Sequence, residues 1–305
     1  MPSKDWKTVK VAANPDDYPE RGAVISIGNF DGVHWGHRQL LSRMSALAEE
    51  LARPAAVVTF FPPARTVFTG SPFLCSQAEK LALLEAFNPD AVIVIPFTDE
   101  YSKTDKRVFT SQMARLEPAA IVVGEDFRFG HNREGTLQDL AAITERLEVV
   151  PLQELDGEVV KSTRIRELLQ AGAIEDANRL LSAPYRACGT VVKGERRGTE
   201  LGFPTANLSY PQGKCIPNGV FATVATVGGK SYPGVANAGP RPTYPDNPPA
   251  LEVHLLDFDG DLYGQELCLQ FIARIRTQKR FVSVDELRGQ LASDVKLARE
   301  LLAGA

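Results

Sequence analysis

The stretch Gly28-Asn29-Phe30-Asp31-Gly32-Val33-His34-Trp35-Gly36-His37 holds two of the chain's four histidines, three residues apart, among three glycines. Glycine lets a backbone turn tightly and approach a ligand, and a helix starting there offers free N–H groups and a positive dipole end to phosphate. His34 and His37, with Gly28, Asn29 and Gly36, are therefore candidates for an anion site. Two other readings stay open: a plain strand-to-helix turn with incidental histidines, and a metal pair, for which no third ligand stands nearby. A second cluster, Lys161-Ser162-Thr163-Arg164-Ile165-Arg166, opens a helical pattern. Its Ser162 and Thr163 are either an N-cap or, together with Arg166, a second anion cradle. The third stretch, Gly124-Glu125-Asp126-Phe127-Arg128-Phe129-Gly130, offers Asp126 and Phe129 to a flat ligand, or its aromatic rings to the core.

These stretches need strands and helices to place them. Short β-branched runs recur at Val24 to Ile27, Ala55 to Phe60, Ala91 to Phe97, Ala120 to Val123 and Glu148 to Leu152. Helical periodicity lies between them, as in Leu40, Leu41, Met44, Leu47, Ala48 and Leu51. The pattern predicts an α/β unit with a parallel sheet, right-handed crossovers and a ligand at the carboxyl ends of the strands. After residue 183 the grammar changes: Pro and Gly become dense, and apolar residues alternate, Leu251, Val253 and Leu255 against Glu252, His254 and Leu256. Runs at Val191 to Lys193, Val220 to Val227, Leu251 to Asp257 and Leu267 to Ile275 predict a small antiparallel β-barrel. Val284, Leu287, Leu291, Leu297 and Leu301 predict a C-terminal helix over it, with Ser283 and Glu286 as a capping box. Pro240 to Pro249 reads as a long ordered loop. The expected domains are 1–183 and 184–305.

Composition bounds the possibilities. The chain has 305 residues, 44% hydrophobic and 24% charged, which suits two globular domains. A net charge of −4 gives no bulk attraction to nucleic acid or anionic membrane, and no apolar run approaches a membrane span. Cys75, Cys188, Cys215 and Cys268 are far apart with no CxxC pair, so reduced thiols in a cytoplasmic protein are expected.

The Gly28-to-His37, Gly124-to-Gly130 and Ser162-to-Arg166 motifs, in this order and spacing, resemble the adenylyltransferase half of prokaryotic bifunctional riboflavin kinase/FAD synthetases. The second half is similar to that family's kinase: Gly198-Thr199-Glu200-Leu201-Gly202-Phe203-Pro204-Thr205-Ala206-Asn207, then Asn237 to Thr243, Leu251 to His254, Asp261 to Gly264, and Phe281. The likeness spans about Gly22 to Asp294. It implies a nucleotidyltransferase-type parallel sheet followed by the barrel, converting riboflavin and ATP to FMN and ADP, then FMN and ATP to FAD and pyrophosphate. On this resemblance His34 and His37 take the ATP phosphates with Ser162, Thr163 and Arg166. Gly202, Thr205 and Asn207 bind ATP, Thr205 and Asn207 hold Mg²⁺, and Glu252 is the base. Asp126, Phe129, Arg276 and Phe281 contact flavin. By residue type alone, Thr205 and Asn207 are equally a strand-end turn, and Glu252 a solvated strand residue. Three departures stand out: Phe60-Phe61-Pro62-Pro63-Ala64-Arg65 replaces an acidic-Pro-His-Pro loop, Lys161 a serine, and Gln278 an acidic residue. Competing readings are a single-activity adenylyltransferase with a ligand-binding barrel, opposed by intact Thr205, Asn207 and Glu252, and a flavin- or RNA-binding module, opposed by the acidic charge.

Overall fold

Six runs in the first half pair in parallel as β1 (Lys10–Ala12), β2 (Val24–Ile27), β3 (Ala55–Phe61), β4 (Ala91–Pro96), β5 (Ala120–Gly124) and β6 (Leu147–Val150), in the order β1-β4-β3-β2-β5-β6. The computed structural model describes residues 10–18, 20–194, 198, 201–239 and 250–303. Both faces of this sheet are covered, so β2 is buried at every position. Ile25, Val58, Ile93 and Ile121 fill one side, and Val24, Val57, Val92 and Val122 fill the other. The helices are α1 (Trp35–Leu51), α2 (Ala64–Thr69), α3 (Gln77–Leu84), α4 (Asp99–Ser102), α5 (Lys106–Ala114) and α6 (Leu137–Ala141). As the periodicity predicts, α1 buries Leu41, Met44, Leu47 and Ala48. Strand order reverses between β2 and β5, which makes their carboxyl ends the switch-point crevice. A hairpin of β7 (Glu154–Leu155) and β8 (Glu158–Val159) follows.

Next come α7 (Ser162–Ala171) and α8 (Ile174–Leu181), then β9 (Tyr185–Val192), β10 (Ala206–Ser209), β11 (Gly219–Val227), β12 (Lys230–Gly239), β13 (Ala250–Leu255) and β14 (Glu266–Arg276). These six strands close as β10-β13-β12-β11-β14-β9, and α9 (Val284–Ala303) packs on the outer wall through Val295, Ala298, Leu301 and Leu302. Ser283 accepts from the Glu286 N–H at 3.1 Å, while the Glu286 carboxylate takes the Val282 N–H, so the predicted capping box is shifted by one residue on its return bond. Leu256, expected to alternate outward, is buried because β13 ends at Leu255. Thr199, Glu200 and the Pro240–Pro249 loop lie outside the described residues. Cys188 and Cys268 are disulfide-bonded, against the expectation of free thiols: eighty residues apart in sequence, they face each other directly across β9 and β14. Cys75 and Cys215 are free and buried. Among the described residues no helix is long and apolar enough to cross a membrane.

The chain divides into compact units at 162/163, upstream of the change of pattern at 183/184. The intervening helices are tied to the barrel. Asn178 donates to the Phe271 carbonyl at 2.8 Å and accepts from the Tyr185 N–H at 2.7 Å, Asn218 N–H reaches the Leu169 carbonyl, and Glu175 accepts from the Arg274 N–H. Ile174 and Leu181 are buried, and each contributes roughly 1.5–3 kcal/mol. A fragment 163–305 is therefore expected to melt about 10 °C above a fragment 184–305 when both are followed by circular dichroism.

Candidate active sites

Between β2 and α1 the chain makes a turn that few sequences tolerate. Phe30, Gly32 and Val33 have φ of 44°, 82° and 42°, the left-handed region, where a β-branched valine is a rare occupant. The turn is held from below and from the sides. Phe30 and Val33 are fully buried. Asp31 accepts from the amides of Leu74 (2.8 Å) and Cys75 (3.2 Å), and Gly32 N–H donates to Cys75 Sγ. Asn29 Oδ1 accepts from the Ala64 amide, and the Ser162 hydroxyl donates to the Asp31 carbonyl at 3.0 Å. Lys80, on α3 and without exposed surface, sends its ammonium to the carbonyls of Asn29 and Phe60, both at 2.7 Å, and to Thr59 Oγ1. Phe61, at the departure from the resembled loop, lays its ring 5.8 Å from that nitrogen.

So positioned, His34 caps α1 by accepting the His37 N–H at its Nδ1, which puts its ring proton on Nε2. The two imidazoles stack with centroids 3.6 Å apart. His37 Nδ1 is buried with no hydrogen-bond partner. Burial first, then the neighbouring His34 and Lys80, hold the His37 pKa well below its usual 6.5, so the ring is neutral at pH 7. The site is thus a set of hydrogen-bonding groups at a helix start, suited to an anion.

The other sequence-predicted residues of this unit are spread. Gly28 and Gly36 flank the histidines, and Asp126 is exposed on the turn after β5. Phe129 is buried in the core, its ring 4.7 Å from Phe109. Phe60, Phe97 and Tyr101 cluster at 5.8–6.2 Å around the carboxyl ends of β3 and β4, with the largely exposed Phe68 against Phe97 at 5.8 Å. The sequence reading placed Phe60 and Phe97 at the ends of strands and did not single out this group, since ring type carries no mark of exposure. On α7, Thr163 is half-buried and Arg166 buried, both in the second unit.

In the second unit a pocket of about 1080 Å³ lies on the barrel's outer wall under α9. Cross-strand register lines up Asn207, Glu252 and Asn237 as direct neighbours on β10, β13 and β12, while Leu251 and Val253 point inward. Gln278 donates to Asn237 Oδ1 at 3.0 Å, and His254 Nδ1 lies 2.7 Å from the Pro204 carbonyl. Thr205, exposed, and Asn207 line the same pocket beside Gly194, Gly198 and the left-handed Gly202. A Cβ at Gly194 would clash with the Asn207 amide, and one at Gly198 would lie 3.2 Å from Thr205 Oγ1, so the glycines keep this cradle open. A hydroxyl and an amide oxygen, few and hard, fit a cation that completes its shell with phosphate oxygens. Among the described residues no group of three or more His, Cys, Asp or Glu could hold a metal. Arg276 meets Asp294 through Nε at 3.0 Å and Nη2 at 2.8 Å, Gln290 bonds the same carboxylate, and the Arg276 and Lys279 cations lie over the Phe281 ring. Asp294 escaped the sequence reading because a carboxylate in an amphipathic helix reads as surface, and Asn237 was quoted there within a resembled motif but given no role.

A helix-capped turn at a switch point and a barrel-wall pocket with one carboxylate between two amides suit a two-unit transferase. The FAD synthetase family model matches residues 17–164 and the riboflavin kinase model residues 181–302. The bifunctional riboflavin kinase/FMN adenylyltransferases of Pseudomonas fluorescens and Escherichia coli K12 are 38% and 35% identical, covering 93% and 96% of this chain and 94% and 97% of their own. A solved structure described as a macrolide-efflux protein from Streptococcus pneumoniae superposes with a TM-score of 0.85 at 27% identity, covering 96% of this chain and 99% of its own. The chain belongs to the bifunctional riboflavin kinase/FMN adenylyltransferase family.

Because the unfolded chain's imidazole takes up a proton near pH 6.5 and the folded His37 does so only well below, stability falls as pH drops from 6.5. The slope from this residue is at most about 1.4 kcal/mol per pH unit. Urea unfolding followed by tryptophan fluorescence, to which only Trp6 and Trp35 contribute, should show this loss between pH 6.5 and 5, and His37→Asn should lessen it.

Proposed function

We propose that residues 1–183 adenylylate FMN and residues 184–305 phosphorylate riboflavin, each with its own ATP site. The observation that carries this is the presence of two separate polar sites, one in each unit, each within the stretch that its family model covers.

In the adenylyltransferase, an FMN phosphate oxygen bonds to the α-phosphorus of ATP as the α–β bridging P–O bond breaks, releasing pyrophosphate. No covalent enzyme intermediate is needed, so the protein aligns reactants and stabilises charge. The α1 amides and the His37 ring engage the polyphosphate, with His34 fixing the start of the helix and Ser162 bracing the turn through the Asp31 carbonyl. The Phe60, Phe97 and Tyr101 rings, with Phe68, offer a stacking platform for the flavin, and Asp126 a polar contact beside it.

In the kinase, Glu252 takes the proton of the terminal ribityl hydroxyl while that oxygen bonds to the γ-phosphorus and ADP leaves. Asn207 and Asn237, its cross-strand neighbours, orient the carboxylate, and Gln278 fixes the Asn237 amide. Thr205 and Asn207 would hold Mg²⁺, which when bound neutralises phosphate charge. Phe281, backed by the Arg276–Asp294 pair, lies where the flavin enters. Both reactions consume ATP, which supports a cytoplasmic site of action.

The test is a crossed pair of variants assayed by chromatography of flavin products. Glu252→Gln keeps size and hydrogen bonding while removing basicity, so FMN formation from riboflavin should fall by roughly 10²–10⁴-fold with FAD formation from supplied FMN unchanged. His37→Ala should do the converse, abolishing FAD formation and sparing riboflavin phosphorylation. Equal loss of both activities in either folded variant would refute the division.

A further inference from the structure

Lys80 is a buried cation for which the chemistry above has no use. Its three hydrogen bonds, to the Asn29 and Phe60 carbonyls and Thr59 Oγ1, match the three donors of an ammonium. Thr59 Oγ1 donates onward to the Asn29 carbonyl, leaving a lone pair free to accept from Lys80. All three acceptors are neutral. Among the described residues no carboxylate lies within ion-pairing distance of Lys80. Asp31, whose charge acts on Lys80 after that of Cys75, is bonded to the Leu74 and Cys75 amides. Burial pulls the Lys80 pKa below that of a free lysine, Cys75 and Asp31 oppose that shift, and the three hydrogen-bond acceptors favour the ammonium, whose field the interior screens weakly. The ammonium lies directly beneath the turn that carries His34 and His37, close enough for its field to lower the His37 pKa. The His37 ring contributes no positive charge there at pH 7.

We propose that the Lys80 ammonium is the fixed positive charge of the adenylyltransferase site, a positioning residue that holds the Asn29–Val33 turn and attracts the polyphosphate through it without touching substrate. The proposal rests on the reading of this turn as the polyphosphate site.

Steady-state kinetics of the full chain in the reverse direction, FAD plus pyrophosphate giving FMN plus ATP, test it at this site alone. Lys80→Met keeps the stem and removes the charge. The KM for pyrophosphate should rise roughly 10- to 100-fold, while the KM for FAD and inhibition by uncharged adenosine stay within about twofold. An unchanged pyrophosphate KM would overturn the proposal. So would a parallel rise in all three constants, which marks a merely structural clamp. If Lys80→Met does not fold, the parent protein decides: the ¹⁵Nζ resonance of Lys80 should report an ammonium and move when inorganic pyrophosphate is added, and a neutral or unmoved signal refutes the role. Loss of FAD formation in His37→Ala beside a parent pyrophosphate KM in Lys80→Met sinks this inference alone. Parent behaviour in both sinks the polyphosphate reading itself.

Discussion

The adenylyltransferase unit depends on keeping Phe30, Gly32 and Val33 in the left-handed region, where each non-glycine residue costs on the order of 1–3 kcal/mol. Such a turn persists only where its surroundings over-determine it. Here the surroundings are a segment more than forty residues downstream: Leu74 and Cys75 bind Asp31, Cys75 binds Gly32, and Lys80 binds Asn29. The α3 capping box, Ser76 with Glu79, fixes that segment in turn. The strain has a structural product, because the turn delivers His34 as the cap of α1 and places His37 one helical turn on, with its ring against that of His34.

The barrel solves its positioning problem by a different route. Strand register does there what a strained turn does in the first unit: three adjacent strands set Asn207, Glu252 and Asn237 in a row without any unusual φ among them. Rigidity comes from closure of the sheet, and the less regular wall of the pocket, Thr277 to Phe281, is anchored by the Arg276–Asp294 pair at its start. Asp294 is 1% exposed and shared with Gln290, so α9 and β14 are locked by a charge-assisted network that loses heavily if either partner is removed.

Much of this was legible in the sequence, and the limits have physical causes. β2 was read to its exact bounds because a strand buried on both faces is a continuous apolar run between polar punctuation. β12 was not read, because Gly228-Gly229 opens it and Pro233-Gly234 interrupts its alternation, although a barrel strand tolerates both through neighbours that supply the pairing. The Cys188–Cys268 bond was invisible because its proximity is a matter of register, not of sequence spacing. His34 and His37 were found from residue type and position. Their division of labour, one a cap and one a neutral ring with an unpartnered nitrogen, follows only from geometry. Phe129 and Arg276 show the converse: their types suit a ligand, but the fold engages them with Phe109 and Asp294 first.

Lys80 marks the point where periodicity misleads most. A lysine beside a glutamate in an eight-residue helix reads as a solvated face, yet this one is entirely buried, because α3 points that side of itself at the ends of β2 and β3, where the Asn29 and Phe60 carbonyls accept from it. Those carbonyls need donors, and an ammonium supplies three at once. At position 61 an aromatic face, rather than the carboxylate of the resembled loop, lies over the nitrogen, so the charge is supported by quadrupole and dipoles and is not cancelled. A neutral donor could have satisfied the same oxygens. An ammonium beneath the proposed polyphosphate turn, with no ion-paired carboxylate among the described residues, would couple the group that stabilises the turn to the ligand proposed to bind there.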